Sequence, residues 1–420
     1  MTLQRYSLIF GLLIALSPQL LGQKKLAYTD KAYEPTIQTI QFYPASSTVQ
    51  GTLEPAVIGM NDGKEWQLHF DDLRQDADYY YVRFIHCNAD WTPSRLKPNM
   101  YLGQYNEFEI VDFEFSSESR TQYVHYSFTI PKLLNTGNYL AVVYRGQNKN
   151  DIILSKQFSV YDNSVGVGAR IDRSAQTSER LVNQRIEVTM NYTNLSTVNP
   201  AEQFIVVVRQ NERPDRIKAL SPTYIDENDK LIRYQNLGEE NEFKGGNEFR
   251  HFDLSSVNFG GRNVANTRFV DNKPITDLRV DRPASVGYLI NLDINGKFYV
   301  RDIEGRNSTI TSEYIQVNFT LETDELNEPV YVLGAFNQWK KSKESLMVYN
   351  PSKGVYQNQQ LIKQGWYDYT YQTEHTETST LEGSFFETEN LYEVFVYYRA
   401  IGARGDELVG YSKVNFNRRR

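Results

Sequence analysis

The residues of this chain best suited to chemistry are its cysteine and histidines, and they are few. The 420 residues include one cysteine and five histidines. His86 and Cys87 stand side by side in the stretch Tyr79–Leu102, with Asp90 and Trp91 shortly after, so a thiol nucleophile beside a base is the first hypothesis to weigh. The stretch begins as a strand, rich in aromatic and β-branched residues. Because neighbours in a strand point to opposite faces, the side chains of His86 and Cys87 cannot simply meet.

No metal site is indicated by the remaining residues of this kind. The other histidines are His69, His125, His251 and His375. They lack HxH spacing, and a lone cysteine cannot form a CxxC pair, so we predict no catalytic residue, metal or cofactor. We expect Cys87 to be a small buried hydrophobe, Trp91 to cover the end of a sandwich, and Asp90 to cap the following turn.

The composition favours β structure. There are 30 tyrosines and 22 phenylalanines but only five methionines, and such rings fit half-buried strand faces. Eight strands are predicted early in the chain, at Ile37–Tyr43, Ala56–Gly59, Trp66–Phe70, Tyr79–His86, Phe108–Phe115, Val124–Ile130, Tyr139–Tyr144 and Ile153–Val160. Further strands are predicted at Ile186–Tyr192, Phe204–Val208, Arg216–Leu220, Leu231–Tyr234, Gly287–Leu292, Phe298–Val300, Tyr314–Leu321, Glu328–Leu333, Leu346–Tyr349, Gly354–Leu361, Gly365–Gln372, Tyr392–Ala400 and Leu408–Val414. Without a long helical pattern, this spacing predicts an all-β protein of tandem immunoglobulin-like antiparallel β-sandwiches.

The chain divides into a predicted signal peptide and three predicted domains. Arg5 precedes the apolar run Tyr6–Leu16, which is shorter than the ~20 residues that span a membrane, so residues 1–22 are predicted to be a cleaved signal peptide. Residues 23–162 are predicted to form an N-terminal sandwich. Residues 163–311 are predicted to form a middle β domain with long loops, including a hairpin whose turn is 293–296. Residues 312–420 are predicted to form a C-terminal immunoglobulin-like (early-set) sandwich.

The most unusual string is Gly245–Asp253, GGNEFRHFD. It lacks the helix and the Lys-Ser/Thr pair of a phosphate loop. Glu248 and Asp253 could be a glycosidase pair, but no cleft is evident. We expect either an interdomain contact or a partner surface, with Phe249 and Arg250 as the candidate partner contacts.

Val330–Trp339, VYVLGAFNQW, resembles the start of glycogen-binding carbohydrate modules. The resemblance implies an early-set fold in which Phe336 and Trp339 are mostly structural. Trp366 and Tyr367 could form a sugar platform, although buried core aromatics are the commoner outcome. An exported carbohydrate-binding sandwich is therefore the alternative function.

Several strings together resemble the plug proteins of the Bacteroidota type IX secretion system. They are YYYVRFIHCNADWTPSRL, NEFKGGNEFRHFD, VYVLGAFNQW and LEGSFFETENLYEVFVYYR. The resemblance implies a non-enzymatic periplasmic protein, peripheral to the outer membrane and monomeric outside its complex. Its implied partner is the translocon barrel, which it closes when no cargo-delivery subunit is engaged.

Other classes are less favoured. A net charge of −7 argues against nucleic acid as a partner, and nothing points to a small-molecule substrate. An outer-membrane barrel would also show alternating strands, but a mean hydropathy of −0.55 and uneven strand spacing oppose it. An enzyme of unrecognised type is a further alternative class.

Overall fold

A computed structural model describes residues 24–45, 48–375 and 380–418. Within these residues the chain forms 28 β-strands, four one-turn α-helices and three 3-10 turns. Nearly all strand pairs are antiparallel, so the all-β, antiparallel fold class is confirmed. The predicted signal peptide, 1–22, lies outside the described residues.

The first sandwich is formed by the N-terminal strands. Its elements are β1 (Lys31–Ala32), β2 (Ile37–Pro44), α1 (Val49–Thr52), β3 (Val57–Gly59), β4 (Trp66–Asp72), β5 (Tyr80–Cys87), α2 (Pro98–Tyr101), β6 (Phe108–Glu109), β7 (Asp112–Phe115), β8 (Val124–Thr129), β9 (Gly137–Arg145) and β10 (Ile152–Tyr161). One sheet has the order β1-β10-β9-β5-β6, with β3 paired to β10, and the other has the order β2-β4-β8-β7. The predicted strand Phe108–Phe115 is thus divided between the two sheets.

The second sandwich begins directly afterwards. Its first elements are β11 (Gly166–Arg173), β12 (Asn183–Asn191), α3 (Pro200–Gln203), β13 (Phe204–Gln210), β14 (Ile217–Leu220), β15 (Tyr224–Asp226), β16 (Leu231–Tyr234) and β17 (Glu242–Lys244), with 3-10 turns at Thr177–Glu179 and Glu239–Asn241. The chain leaves this sandwich after β17.

The third sandwich follows as an insertion. Its elements are β18 (Arg250–Asp253), β19 (Val264–Val270), β20 (Lys273–Leu278), β21 (Phe298–Val300), α4 (Ser308–Thr311), β22 (Tyr314–Glu322), β23 (Val330–Leu333), a 3-10 turn at Ala335–Asn337, β24 (Val348–Asn350), β25 (Val355–Lys363) and β26 (Gly365–Thr373). One sheet has the order β19-β20-β22-β25-β24, and the facing strands are β18-β26-β21, with β23 also paired to β26.

The last two strands, β27 (Asn390–Tyr398) and β28 (Glu407–Phe416), return to the second sandwich. They complete the sheet β14-β13-β27-β28, which faces β11-β12-β16-β15 and β17. The pairing differs from the predicted division in two ways: the third sandwich starts near residue 250, well before 312, and the C-terminal hairpin belongs with the middle strands. Pairing between β13 and β27 joins segments far apart in sequence, which strand periodicity alone does not reveal.

Alternation correctly identified which faces are buried. Ile186, Val188, Met190 and Tyr192, predicted to share one face, are all fully buried in the core of the second sandwich. One prediction was wrong: Gly287–Leu292, predicted to be a strand, lies in an irregular loop.

A buried ion pair joins the first and third sandwiches. Lys363 Nζ lies 2.6 Å from Asp71 Oδ2, and both side chains are excluded from solvent. Asp71 also accepts hydrogen bonds from Tyr314 Oη at 2.6 Å and from His125 Nδ1 at 2.7 Å. Burial opposes ionisation of Asp71, but Lys363 and His125 outweigh it and lower the pKa of this carboxyl. We call this group the interdomain lock.

The second sandwich is tied to both neighbours. Tyr397 Oη donates to Asn138 Oδ1 of the first sandwich at 2.9 Å. Lys297 of the third sandwich donates to Leu53 O at 2.6 Å and pairs with Glu212, so it contacts the first and second sandwiches together. All three sandwiches therefore contact one another directly.

Candidate interaction surface

The His86–Cys87 pair forms no active site. Cys87 is fully buried, its Sγ lies 3.6 Å from Ile85 O, and burial and then the nearby Asp90 raise the thiol pKa to about 12. His86 points to the other face, where Nδ1 lies 2.9 Å from Ser94 Oγ and Nε2 lies 3.0 Å from Thr136 O. Burial lowers the pKa of His86. The expected role of Cys87 as a buried hydrophobe is confirmed.

Asp90 and Trp91 form an ordered corner after β5. Asp90 Oδ1 accepts from the Thr92 amide at 2.9 Å and from Thr92 Oγ1 at 2.6 Å, so the predicted turn cap is confirmed. Trp91 has a φ of 64° and packs against the cluster around Cys87. This corner forms one wall of a cleft of about 460 Å³ between the first and second sandwiches.

The cleft is apolar and its charged groups are already paired. The remaining walls come from the outer face of the second sandwich, namely Ile205, Val207, Ile217, Ala219 and Tyr397. At its rim the Asp406 carboxylate is held by Arg399, with N–O distances of 2.5 and 2.9 Å, and by the Ala89 amide. Such a site suits an apolar side chain rather than a reaction.

The string Gly245–Asp253 lies at the junction of the second and third sandwiches. A Cβ on Gly245 would collide with the Phe385 backbone, so only glycine allows this approach. Phe249 is buried and packs on Trp339, with ring centroids 5.7 Å apart. The guanidinium of Arg213, from the second sandwich, lies 4.4 Å from the centroid of the Trp339 ring. Of the two alternatives for the string, the structure shows the interdomain contact.

Arg250 is also directed inward. It pairs with Asp281 at 2.8 Å and Glu382 at 2.9 Å, and its guanidinium lies 5.3 Å from the Tyr371 ring centroid. Phe249 and Arg250 therefore use their side chains inside the molecule, as supports rather than as exposed contacts. The two carboxylates weighed above as a glycosidase pair are likewise engaged locally: Glu248 accepts from Tyr288 Oη, and Asp253 accepts from the Ser255 amide.

A long irregular loop lies on this junction. It covers residues 279–297, between β20 and β21, and it is the segment in which the predicted hairpin fails to form. Tyr288 Oη donates to Glu248 Oε1, and Asn291 Nδ2 donates to Phe249 O at 2.9 Å. Tyr288 also packs on Phe385, with ring centroids 5.7 Å apart. The inward residues are thus three apart, which is incompatible with the two-residue period of a strand.

Between these anchors the loop presents aliphatic side chains to solvent. Val286, Leu289, Ile290 and Leu292 are 99%, 80%, 67% and 57% exposed. We call these four residues the aliphatic ridge. The sequence feature that could have identified this loop is the non-alternating order of VGYLINL. Leu289 and Ile290 are adjacent, so a strand could not bury both on one face.

Two carboxyls, the buried Asp368 and the half-buried Asp293, fix the C-terminal end of the loop. Asp368 Oδ2 accepts from the amides of Ile294 and Gly296 at 2.7 and 3.1 Å, and Asp293 accepts from the Phe249 and Asn295 amides. Burial raises the pKa of Asp368 to about 7, because these donors offset only part of the desolvation. Burial, reinforced by the charge of Asp368, raises the pKa of Asp293.

Trp366 and Tyr367 do not form one platform. They are neighbours in β26 and face opposite sides: Tyr367 is buried in the core of the third sandwich, whereas Trp366 stacks on His251 with ring centroids 4.6 Å apart. The two rings considered for a sugar platform therefore do not lie on one face. Phe336 packs near Tyr367 with ring centroids 5.8 Å apart, consistent with the structural role expected for it.

The described residues hold neither a metal-ligand cluster nor a membrane-spanning helix. Among the residues that the structure describes, no three His, Cys, Asp or Glu side chains are grouped as metal ligands would be. In that same part of the chain, no helix is long and apolar enough to cross a membrane.

The fold and these surfaces define a β protein of three interlocked sandwiches. Residues 37–162, which are the first sandwich, match the model of the family described as "Type 9 secretion system plug protein 1st domain". This match supports the plug family and a role associated with type IX secretion.

One solved structure is similar over almost the whole chain. It is a hypothetical protein from Parabacteroides merdae ATCC 43184, 28% identical, with a TM-score of 0.87; the alignment covers 93% of this chain and 100% of that one. No curated protein matches the chain. The similarity extends the three-sandwich arrangement to another β-rich protein.

Proposed function

We propose that this protein is a non-enzymatic plug subunit of the type IX secretion system. In this role it resides in the periplasm, docks on the outer-membrane translocon barrel, and closes it when no cargo-delivery subunit is engaged. The observation that carries the proposal is the match of residues 37–162 to the first domain of the plug proteins.

The architecture supports closure by steric means. A pore that exports folded proteins needs a body that does not deform, and here all three sandwiches contact one another, through the interdomain lock, Lys297 and the Tyr397–Asn138 hydrogen bond. No reaction is needed for such a seal. Docking falls to exposed loops held on these sheets, because loops can present side chains while the sheets fix their position. Reversible release is consistent with an interface of modest area and a polar, wet rim.

The test is deletion in the native host, followed by affinity purification of a tagged chain from native membranes. We expect the deletion strain to become permeable to large antibiotics that an intact outer membrane excludes, and the tagged protein to recover a very large barrel. Complementation with the intact gene should restore the permeability barrier. Unchanged antibiotic resistance together with no barrel in the purified material would overturn the proposal.

A further inference from the structure

The aliphatic ridge is unusual as a surface feature. Single exposed aliphatic residues are normal, but here four of seven consecutive residues are more than half exposed. The loop that carries them has no strand or helix over 19 residues of an otherwise regular sandwich, a length at which a loop in a compact domain usually has a function.

The ridge is held in place rather than left loose. Tyr288 and Asn291 anchor it from within, the Ala284 amide donates to Leu381 O at 2.7 Å, and Asn247 Nδ2 donates to Ala284 O at 3.2 Å. A loop fixed in this way loses little conformational freedom on binding, which favours affinity. Phe249, one of the two residues first predicted to contact a partner, lies directly beneath it.

We propose that the aliphatic ridge is a docking element that inserts into an uncharged, apolar groove on a protein partner. The identity of that partner as the periplasmic face of the translocon barrel rests on the proposed function. The exposure and aliphatic composition of the four side chains are the basis for expecting an apolar groove on the partner.

The chemistry of the loop does not suit a lipid surface. Loops that enter membranes usually combine apolar residues with Lys, Arg or Trp at the interface. Residues 283–296 contain none of these, and their one aromatic residue, Tyr288, is turned inward to Glu248. The two ends of the loop carry Arg279, Arg282 and Lys297. Arg282 pairs with Glu322, and Lys297 pairs with Glu212. The net charge of −7 on the chain would be repelled by an anionic leaflet.

A second copy of this chain is also a poor occupant. Two such ridges brought together would cover only four aliphatic side chains on each copy. A stable interface buries roughly 800 Å² on each partner, which is far more than such a contact supplies. A groove on a different protein can instead surround the ridge and remove all four side chains from water.

The experiment places a photo-crosslinking amino acid at Val286, the most exposed position, in the full chain expressed in its native host. It is combined with Leu289→Ser/Ile290→Ser. The matched control is Leu237→Ser/Ile401→Ser, the same residue types at 62% and 77% exposure on other loops. Urea unfolding of the purified proteins should be the same for both variants, because all four positions are exposed.

We expect a crosslink to the translocon barrel that falls at least tenfold in Leu289→Ser/Ile290→Ser and is unchanged in the control. A crosslink to a different, identified envelope protein with the same dependence would support the ridge and overturn the proposed function. Equal crosslinking in both variants would overturn the ridge proposal. Crosslinks only to lipid or only to a second copy of the chain would also overturn the ridge proposal. The absence of any crosslink, while the tagged chain still recovers the barrel, would overturn it as well.

Discussion

The interdomain lock offers the sharpest test of how the sandwiches are held together. The perturbation is Asp71→Asn, which removes the carboxylate but keeps the shape of the side chain. Lys363, fully buried, then keeps Thr309 O at 2.6 Å and the rings of Tyr123 and Tyr314, whose centroids lie 4.1 and 5.8 Å away. Removing one partner of a buried ion pair typically costs about 3–5 kcal/mol, because the other charge is left uncompensated.

The pair itself stabilises less than this cost suggests. At Lys363, the effect of burial is larger than the attraction of Asp71, so the pKa of the lysine is lowered. At Asp71, the attraction of its partners is larger than the effect of burial, so the pKa of the carboxyl is also lowered. The pKa of Asp71 is lower in the folded protein than in the unfolded chain. Its ionised form therefore contributes to folding stability above the unfolded pKa, and this stability is lost as the pH falls through the folded pKa. We therefore expect Asp71→Asn to reduce the acid sensitivity of the protein as well as its stability.

The assay is urea unfolding of the parent, Asp71→Asn, Lys363→Met and the double variant. The double variant should be more stable than the sum of the single costs predicts, by about 1.5 kcal/mol or more, because the second change removes the orphaned charge. Glu322→Gln, which breaks an exposed pair with Arg282, is the control and should cost below about 1 kcal/mol. A cost below about 1 kcal/mol for Asp71→Asn, or strict additivity in the double variant, would refute the reasoning.

Three further outcomes follow from the buried groups. With a thiol pKa of about 12 and no exposed surface, Cys87 should not react with Ellman's reagent at pH 8 in the native protein, but should react fully in urea; rapid native labelling would contradict its burial. Because the pKa of Asp368 is raised in the folded protein, its protonated form contributes stability that is lost as the pH rises from about 4 through about 7. The free energy of unfolding of Asp368→Asn should therefore rise by roughly 1–4 kcal/mol relative to that of the parent between pH 5 and pH 8, and parallel pH profiles of the two proteins would contradict this. Gly296 has a φ of 81°, and a Cβ there would lie 2.7 Å from the Trp339 ring, so Gly296→Ala should cost about 1–3 kcal/mol in urea unfolding, whereas Gly63→Ala, in open space at a φ of 70°, should cost less.

Much of the fold followed from local pattern. Leu231–Tyr234 and Phe298–Val300 were predicted with their observed bounds, and the alternation along Ile186–Tyr192 identified a buried face correctly. The failure at Gly287–Leu292 has a tertiary cause, because the loop is fixed by side-chain anchors three residues apart and by amides that donate to Asp368. Those hydrogen bonds compete with strand pairing, and their acceptor lies some 70 residues further along the chain.

The sequence by itself determined the class of structure and the absence of a recognisable reactive motif. Aromatic and β-branched residues with a two-residue period require sheets with one buried face, and neighbouring positions in a strand separate His86 from Cys87 whatever the sheets pack against. Tertiary structure alone decided which segments share a sheet, that Asp71 and Lys363 meet across two sandwiches, and that Phe249 and Arg250 direct their side chains into the molecule. Periodicity specifies which face is buried, but the surface that buries it comes from distant segments, and their packing also determines which side chains remain exposed to bind a partner.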